Sequence, residues 1–156
     1  MMDFDTSFEK LIGNEGGYVK NPTDPGGETK YGISKRAYPM ENIAALTLER
    51  AKELYRRDYW VPAGCETVPE PIKFDLFDMA VNSGVRQAIR TLQHAVGTTE
   101  DGLLGSATLT ATQAMSPDRV LMRFNAARLL FMTTLVTWPT FGRGWARRIA
   151  ENQLTA

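Results

Sequence analysis

The sequence predicts a mainly α fold of six to eight helices, with an irregular loop or small hairpin after the first helix. Three observations carry that expectation. Apolar residues recur at helical spacing through most of the chain. The segment Ile72 to Ser83 is apolar nearly all round, as a central buried helix is. Seventeen residues from Gly16 to Gly32, GGYVKNPTDPGGETKYG, fit no helix and are rich in turn formers.

Each element follows in order. Asp5 or Thr6 is a good N-cap type for the first helix. Phe8, Leu11, Ile12 and Glu15 share one helical face, and Gly16-Gly17 reads as the stop. A long loop in a compact chain points to function. Thr47 can cap a second helix running to about Tyr59, with Ala51, Leu54 and Tyr55 inward. Pro71 suits the first turn of the Ile72–Ser83 helix, and Gly84 follows as a stop. Val85, Ala88, Ile89, Leu92 and Val96 outline another helix, closed by Gly97. A short helix over Ser106–Met115 and a long one from Ser116-Pro117 through Phe131 come next. Trp138-Pro139 reads as a break, and a last helix carries Trp145 and Ile149.

Composition narrows the function. The 156 residues fit one domain, 43% are hydrophobic, and net charge is zero, so no basic excess points to nucleic acid. One cysteine, Cys65, excludes an intrachain disulfide. With a single histidine, His94, no metal site or cofactor is expected. Cys65 reads as an inert thiol and His94 as a helix-surface residue. The N-terminal MMDFDTSFEK lacks the pattern of a secretory signal, and no stretch nears the roughly 20 apolar residues of a membrane span. Synthesis in the cytoplasm, no membrane insertion and a monomer are expected.

Two carboxyls carry the chemistry. Glu15 closes an apolar stripe, and desolvation favours the neutral acid that glycosidic cleavage needs near neutral pH. Nine residues later, Asp24 stands among Pro22, Pro25 and Gly26-Gly27, in a polar loop that keeps it ionised. Opposite environments at two carboxyls suit acid/base hydrolysis of a sugar. Thr29 supplies a hydroxyl able to orient water. Tyr18, Tyr31 and Tyr38 are candidates to line a saccharide groove, Tyr31 foremost, and Asn82 to contact an N-acetyl group or cap a backbone group. Trp60 reads as a core anchor. Asp75 and Asp78, on an apolar helix, require partners, for which Arg128 or Arg148 is suited. Arg143, Arg147 and Arg148 form a basic cluster that reads as a solvated face, with attraction for anionic polymers as a secondary role.

The combined pattern is Phe8-x-x-Leu11-Ile12-x-x-Glu15-Gly16-Gly17-Tyr18-Val19-x-x-Pro22-x-Asp24-Pro25-Gly26-Gly27-x-Thr29-x-x-Gly32-Ile33. It resembles glycoside hydrolase family 108, the N-acetylmuramidases of phage endolysins and secretion-activator proteins. Tyr55, Tyr59 and Trp60 resemble the family's Tyr-x-x-x-Tyr-Trp segment. Phe74-Asp75, Asn82-Ser83-Gly84, Leu92-Gln93, Asp101-Gly102, Gly105 and Thr108-Leu109 look like its peptidoglycan-binding region. Phe141-x-x-Gly144-Trp145-x-x-Arg148 resembles its closing motif. A more distant similarity is to phage-type lysozymes, whose Glu…Asp…Thr triad has the Glu15–Asp24 spacing but one residue more between Asp and Thr.

The resemblance implies a lysozyme-like fold, with residues 1–70 as catalytic helix and loop region and 71–156 as a helical, peptidoglycan-binding-like region. It implies Glu15 as the signature glutamate and cleavage of the β-1,4 bond between N-acetylmuramic acid and N-acetylglucosamine. A lytic transglycosylase and a non-catalytic peptidoglycan-binding export helper remain as alternatives. The substrate would lie in the periplasm or cell wall, reached after release through a holin or other pore, in phage lysis or bacterial export.

Overall fold

The computed structural model describes residues 1–13, 17–20 and 26–156. In chain order its elements are α1 (Phe4–Ile12), β1 (Val19–Lys20), β2 (Glu28–Lys30), β3 (Ile33–Ser34), α2 (Leu48–Tyr55), a π-helical turn (Arg56–Trp60), α3 (Glu70–Ser83), α4 (Val85–Val96), α5 (Ser106–Ala114), α6 (Pro117–Thr133) and α7 (Trp138–Leu154). Among the described residues there are seven α-helices, within the expected range, and the segment after α1 holds a small antiparallel sheet in the order β1-β2-β3.

Both ends of α1 differ from the sequence expectation. Asp3 is the N-cap, its carboxylate accepting from the Thr6 N–H at 2.9 Å. At the other end the stop is Gly13, not Gly16-Gly17. Its φ of +59° suits glycine, and its N–H closes on Glu9 O at 2.9 Å. The helical stripe therefore covers Phe8, Leu11 and Ile12, while Glu15 lies outside the described residues.

Register in the sheet pairs Val19 with Thr29 and Lys30 with Ile33. Tyr31 and Gly32 form the two-residue link between β2 and β3, with φ of 52° and 76°. Two left-handed residues are what a type I′ hairpin turn requires. Gly32 has a second reason: a Cβ there would strike the Tyr55 hydroxyl.

Thr47 caps α2, accepting from the Arg50 N–H at 3.1 Å, and Ala51, Leu54 and Tyr55 are buried as expected. Regular α-helix stops at Tyr55, short of Tyr59. The wider π turn, closed by Val61 N–H to Arg56 O at 3.0 Å, brings Trp60 round to the buried side. There its indole meets Phe4 and Phe77 edge-on at 5.5 and 5.3 Å between centroids, and its Nε1–H donates to Glu66 at 2.8 Å. Phe8 meets Tyr55 in the same way at 5.6 Å. These rings join α1, α2 and α3 in one core, which continues through Leu76, Met79, Leu92 and Phe124.

α3 is the central helix, in contact with α1, α4 and α6. Its start at Glu70-Pro71 places proline where no intrahelical N–H is needed. Pro139 acts likewise: instead of breaking a helix, it opens α7. Cys65 is fully buried, and burial pushes its thiol well above the ordinary range. His94 is exposed and meets Glu100 at 3.1 Å. Among the described residues no helix is long and apolar enough to cross a membrane, and no cluster of three or more His, Cys, Asp or Glu could hold a metal ion.

Candidate active site

A cleft of about 760 Å³ opens where α1, the sheet, α3 and α7 meet. Leu11 and Ile12 form its α1 wall, and Gly17, Val19, Thr29, Tyr31 and Gly32 its sheet side. Tyr55, Val81, Asn82 and Arg148 complete it. The lining mixes apolar side chains, Leu11, Ile12, Val19 and Val81, with the Thr29 hydroxyl, the Asn82 amide, the phenols of Tyr31 and Tyr55 and the Arg148 guanidinium.

Tyr31 stands at the hairpin tip, half-buried. Its carbonyl accepts from the Tyr55 hydroxyl at 2.9 Å, which ties the left-handed turn to α2. Burial pushes the Tyr55 phenol up to about 12, so it is a neutral donor at any physiological pH. Thr29, in the middle of β2, lines the same space. Asn82 is exposed in the last turn of α3. Its Nδ2 donates to Asp78 O at 2.7 Å and approaches Asp78 Oδ1 at 3.3 Å, so the side chain is held in place as it lines the cleft.

Tyr18 is placed differently. It is exposed, its hydroxyl donates to Glu28 at 2.5 Å, and it is not among the cleft-lining side chains. That hydrogen bond to a carboxylate holds the phenol above its ordinary range. Glu15 and Asp24 both lie outside the described residues.

Beneath the cleft is a charged network that fixes Arg148. Asp78 is buried on α3. Arg148 Nε lies 3.1 and 3.2 Å from its two carboxylate oxygens, and Nη2 lies 2.5 Å from Oδ1. Arg128 on α6, 0 % exposed, brings Nη1 to 2.8 Å from Oδ2. Asn152 adds a donor at 3.1 Å. Burial alone would raise the Asp78 carboxyl. The Arg148 hydrogen bonds and the Arg128 charge outweigh it and hold the group below the ordinary carboxylate range. One carboxylate thus joins α3, α6 and α7 and holds a guanidinium at the cleft.

Asp75, one turn earlier on α3, behaves in the opposite sense. Burial raises its carboxyl, Arg128 only partly offsets this, and Asp78 adds to the rise. Its Oδ1 has no hydrogen-bond partner among the described residues.

Sequence reasoning named both arginines as partners for these aspartates, and the structure assigns both to Asp78. It did not identify Arg148 or Tyr55 as cleft residues. The signal was present for Arg148: an arginine bound to a buried aspartate is fixed, and fixed charges at a cavity edge recur in binding sites.

The family model for glycosyl hydrolase 108 matches residues 8–84, which include the second half of α1, the sheet, α2 and α3. No curated protein matches the chain. Among solved structures, the chain is similar to that titled "Structure of Brucella abortus SagA", at 33% identity and a TM-score of 0.86, over 97% of this chain and 92% of that one. A likeness of that extent gives the whole chain a mainly α, lysozyme-like fold. The two comparisons agree in placing the cleft's α1, sheet and α3 walls inside the shared region, and the chain belongs to glycosyl hydrolase family 108.

Proposed function

We propose that the protein is an N-acetylmuramidase that hydrolyses the β-1,4 bond between N-acetylmuramic acid and N-acetylglucosamine in peptidoglycan. One observation carries this reading. The chain on either side of the Glu15 position, Leu11 and Ile12 before it and Gly17 after it, lines a single large cleft beside Thr29, Tyr31 and Asn82. In this reading Glu15 protonates the leaving oxygen. Asp24 activates or positions water, or stabilises positive charge at the sugar, and the Thr29 hydroxyl orients that water. Tyr31 offers an aromatic face to a sugar ring, and Asn82 an amide to an N-acetyl group. Arg148 offers charge to the acidic groups of the polymer.

Digestion of purified peptidoglycan followed by mass spectrometry of the products tests the reaction. New reducing ends at N-acetylmuramic acid are expected. Anhydromuramic ends would assign a transglycosylase, and wall binding without released fragments would assign a binding protein.

Tyr31 gives a second test. Asn is well suited to left-handed backbone, whereas Tyr is not. Tyr31→Asn is therefore expected to leave the melting temperature within a few degrees of wild type. It should also raise KM for sacculi several-fold through loss of the ring. An unchanged KM in the folded variant would remove Tyr31 from the groove.

A further inference from the structure

Among the described residues, Tyr31 is the one non-glycine residue with positive φ, at 52°. Its place in the hairpin turn suits Asn or Gly, and a tyrosine there is strained. Strain of this kind persists only where the surroundings hold it, and it gathers at binding sites.

Two contacts hold this turn. The Tyr55 hydroxyl donates to the Tyr31 carbonyl at 2.9 Å, which fixes the backbone. Lys30 Nζ stands 5.6 Å from the centre of the Tyr31 ring, within cation–π range, and donates to Ala44 O at 3.2 Å. That contact steadies the ring.

Tyr55 is a firm anchor. Its ring meets Phe8, Tyr59 and Phe77 at 5.6, 5.8 and 6.3 Å between centroids, so the core sets the place of its oxygen independently of the turn. Burial keeps the phenol neutral, so the donor is present throughout the physiological pH range. Gly32 lets the turn close on that oxygen, since a Cβ there would strike it. Tyr55 is only 4% exposed, so its influence on a ligand runs through the turn more than through its own surface. Without the hydrogen bond, the core is intact but the strained turn has one hold fewer. Tyr31 is then presented to the cleft in only a fraction of the molecules, and affinity falls by that fraction.

We propose that Tyr55 is a positioning residue, whose hydroxyl holds the Tyr31 turn in its left-handed form and so presents the Tyr31 ring to the glycan. This rests on the reading of the cleft as a glycan groove with Tyr31 in its wall. Tyr55→Phe removes one oxygen and keeps the ring packing, so its melting temperature should stay within a few degrees of wild type. Its KM for sacculi should rise about fivefold, the worth of one neutral hydrogen bond, with kcat within about twofold of wild type. The Kd for soluble, peptide-free glycan strands should rise by the same factor, measured in the Glu15→Gln protein so that the strands stay whole. Tyr31→Asn removes both the strain and the ring, so adding Tyr55→Phe to it should change Kd by less than about twofold. Gly32→Ala reaches the same contact from the other side and should weaken binding in a chain whose Tyr55 is intact.

An equal loss from Tyr55→Phe in the wild-type and Tyr31→Asn chains would overturn the proposal, because Tyr55 would then shape the cleft by a route other than Tyr31. Wild-type affinity in folded Tyr55→Phe or folded Gly32→Ala would overturn it as well. If strands bound with the expected coupling but the wild-type chain released no fragments, the positioning role would stand and the muramidase reading would fall.

Discussion

Replacing Glu15 by glutamine is expected to lower the rate of sacculus lysis by about 10²–10⁴-fold, the usual worth of a positioned general acid. Glutamine keeps the shape and hydrogen-bonding reach of the side chain but has no proton to give to the leaving oxygen. Binding is therefore expected to persist: the variant should pellet with sacculi as wild type does, and its circular dichroism should be unchanged. Wild-type lysis should also fall as pH rises through the pKa of the acid, since only the protonated form works. Full lysis by a folded Glu15→Gln protein would remove Glu15 from the mechanism. Loss of lysis together with loss of binding would mean that the residue holds substrate rather than donates a proton.

The second large effect concerns stability. Asp78→Ala is expected to cost about 3–5 kcal/mol, because it leaves the Arg128 guanidinium buried without its counter-charge. For a chain of this length that is a fall in melting temperature of roughly 10 °C. Arg148→Ala should cost less: Arg148 is 42% exposed, and Asp78 keeps Arg128 when it goes. The pH dependence follows from the direction of the shift. The Asp78 carboxyl is lower in the folded than in the unfolded chain, so its stabilisation is fully present above the unfolded carboxylate pKa of about 3.9 and is lost as pH falls through the folded value. The wild-type advantage over Asp78→Ala should therefore be constant near neutral pH and shrink in acid, as read by urea titration at several pH values. Asp75 has the opposite sign. Its raised carboxyl destabilises the fold as pH rises above the unfolded pKa, so Asp75→Asn should gain stability at neutral pH relative to acid.

What the sequence revealed of the fold followed periodicity and punctuation. α3 was legible because apolar residues surround it, and its two aspartates demanded partners that α6 and α7 supply. α4 was legible because Val85 through Val96 repeats on one face and Gly97 closes it in a left-handed cap. Helix ends near competing signals were less legible. Gly13 and Gly16-Gly17 are both stop signals, and the nearer one won. Proline both ends and begins helices, and Pro139 stands in the first turn of α7. The π turn had no local sign, because its cause is the burial of Trp60 against Phe4 and Phe77, distant in the chain.

Of the candidate site, Glu15 and Asp24 lie outside the described residues. Thr29, Tyr31 and Asn82 come together in the cleft wall although more than fifty residues separate Thr29 from Asn82. Tyr18 does not join them, because strand alternation turns neighbouring side chains to opposite faces and Glu28 holds its hydroxyl. Arg148 escaped notice as a cleft residue because its position depends on a carboxylate seventy residues away.

Cys65 has a consequence beyond packing. It is the chain's sole thiol, wholly inside the core. A thiol reagent therefore meets nothing to react with until the structure opens, and each molecule that opens yields a single labelled sulfur. The protein carries its own clock for unfolding, readable one event at a time with a thiol reagent and no engineered site.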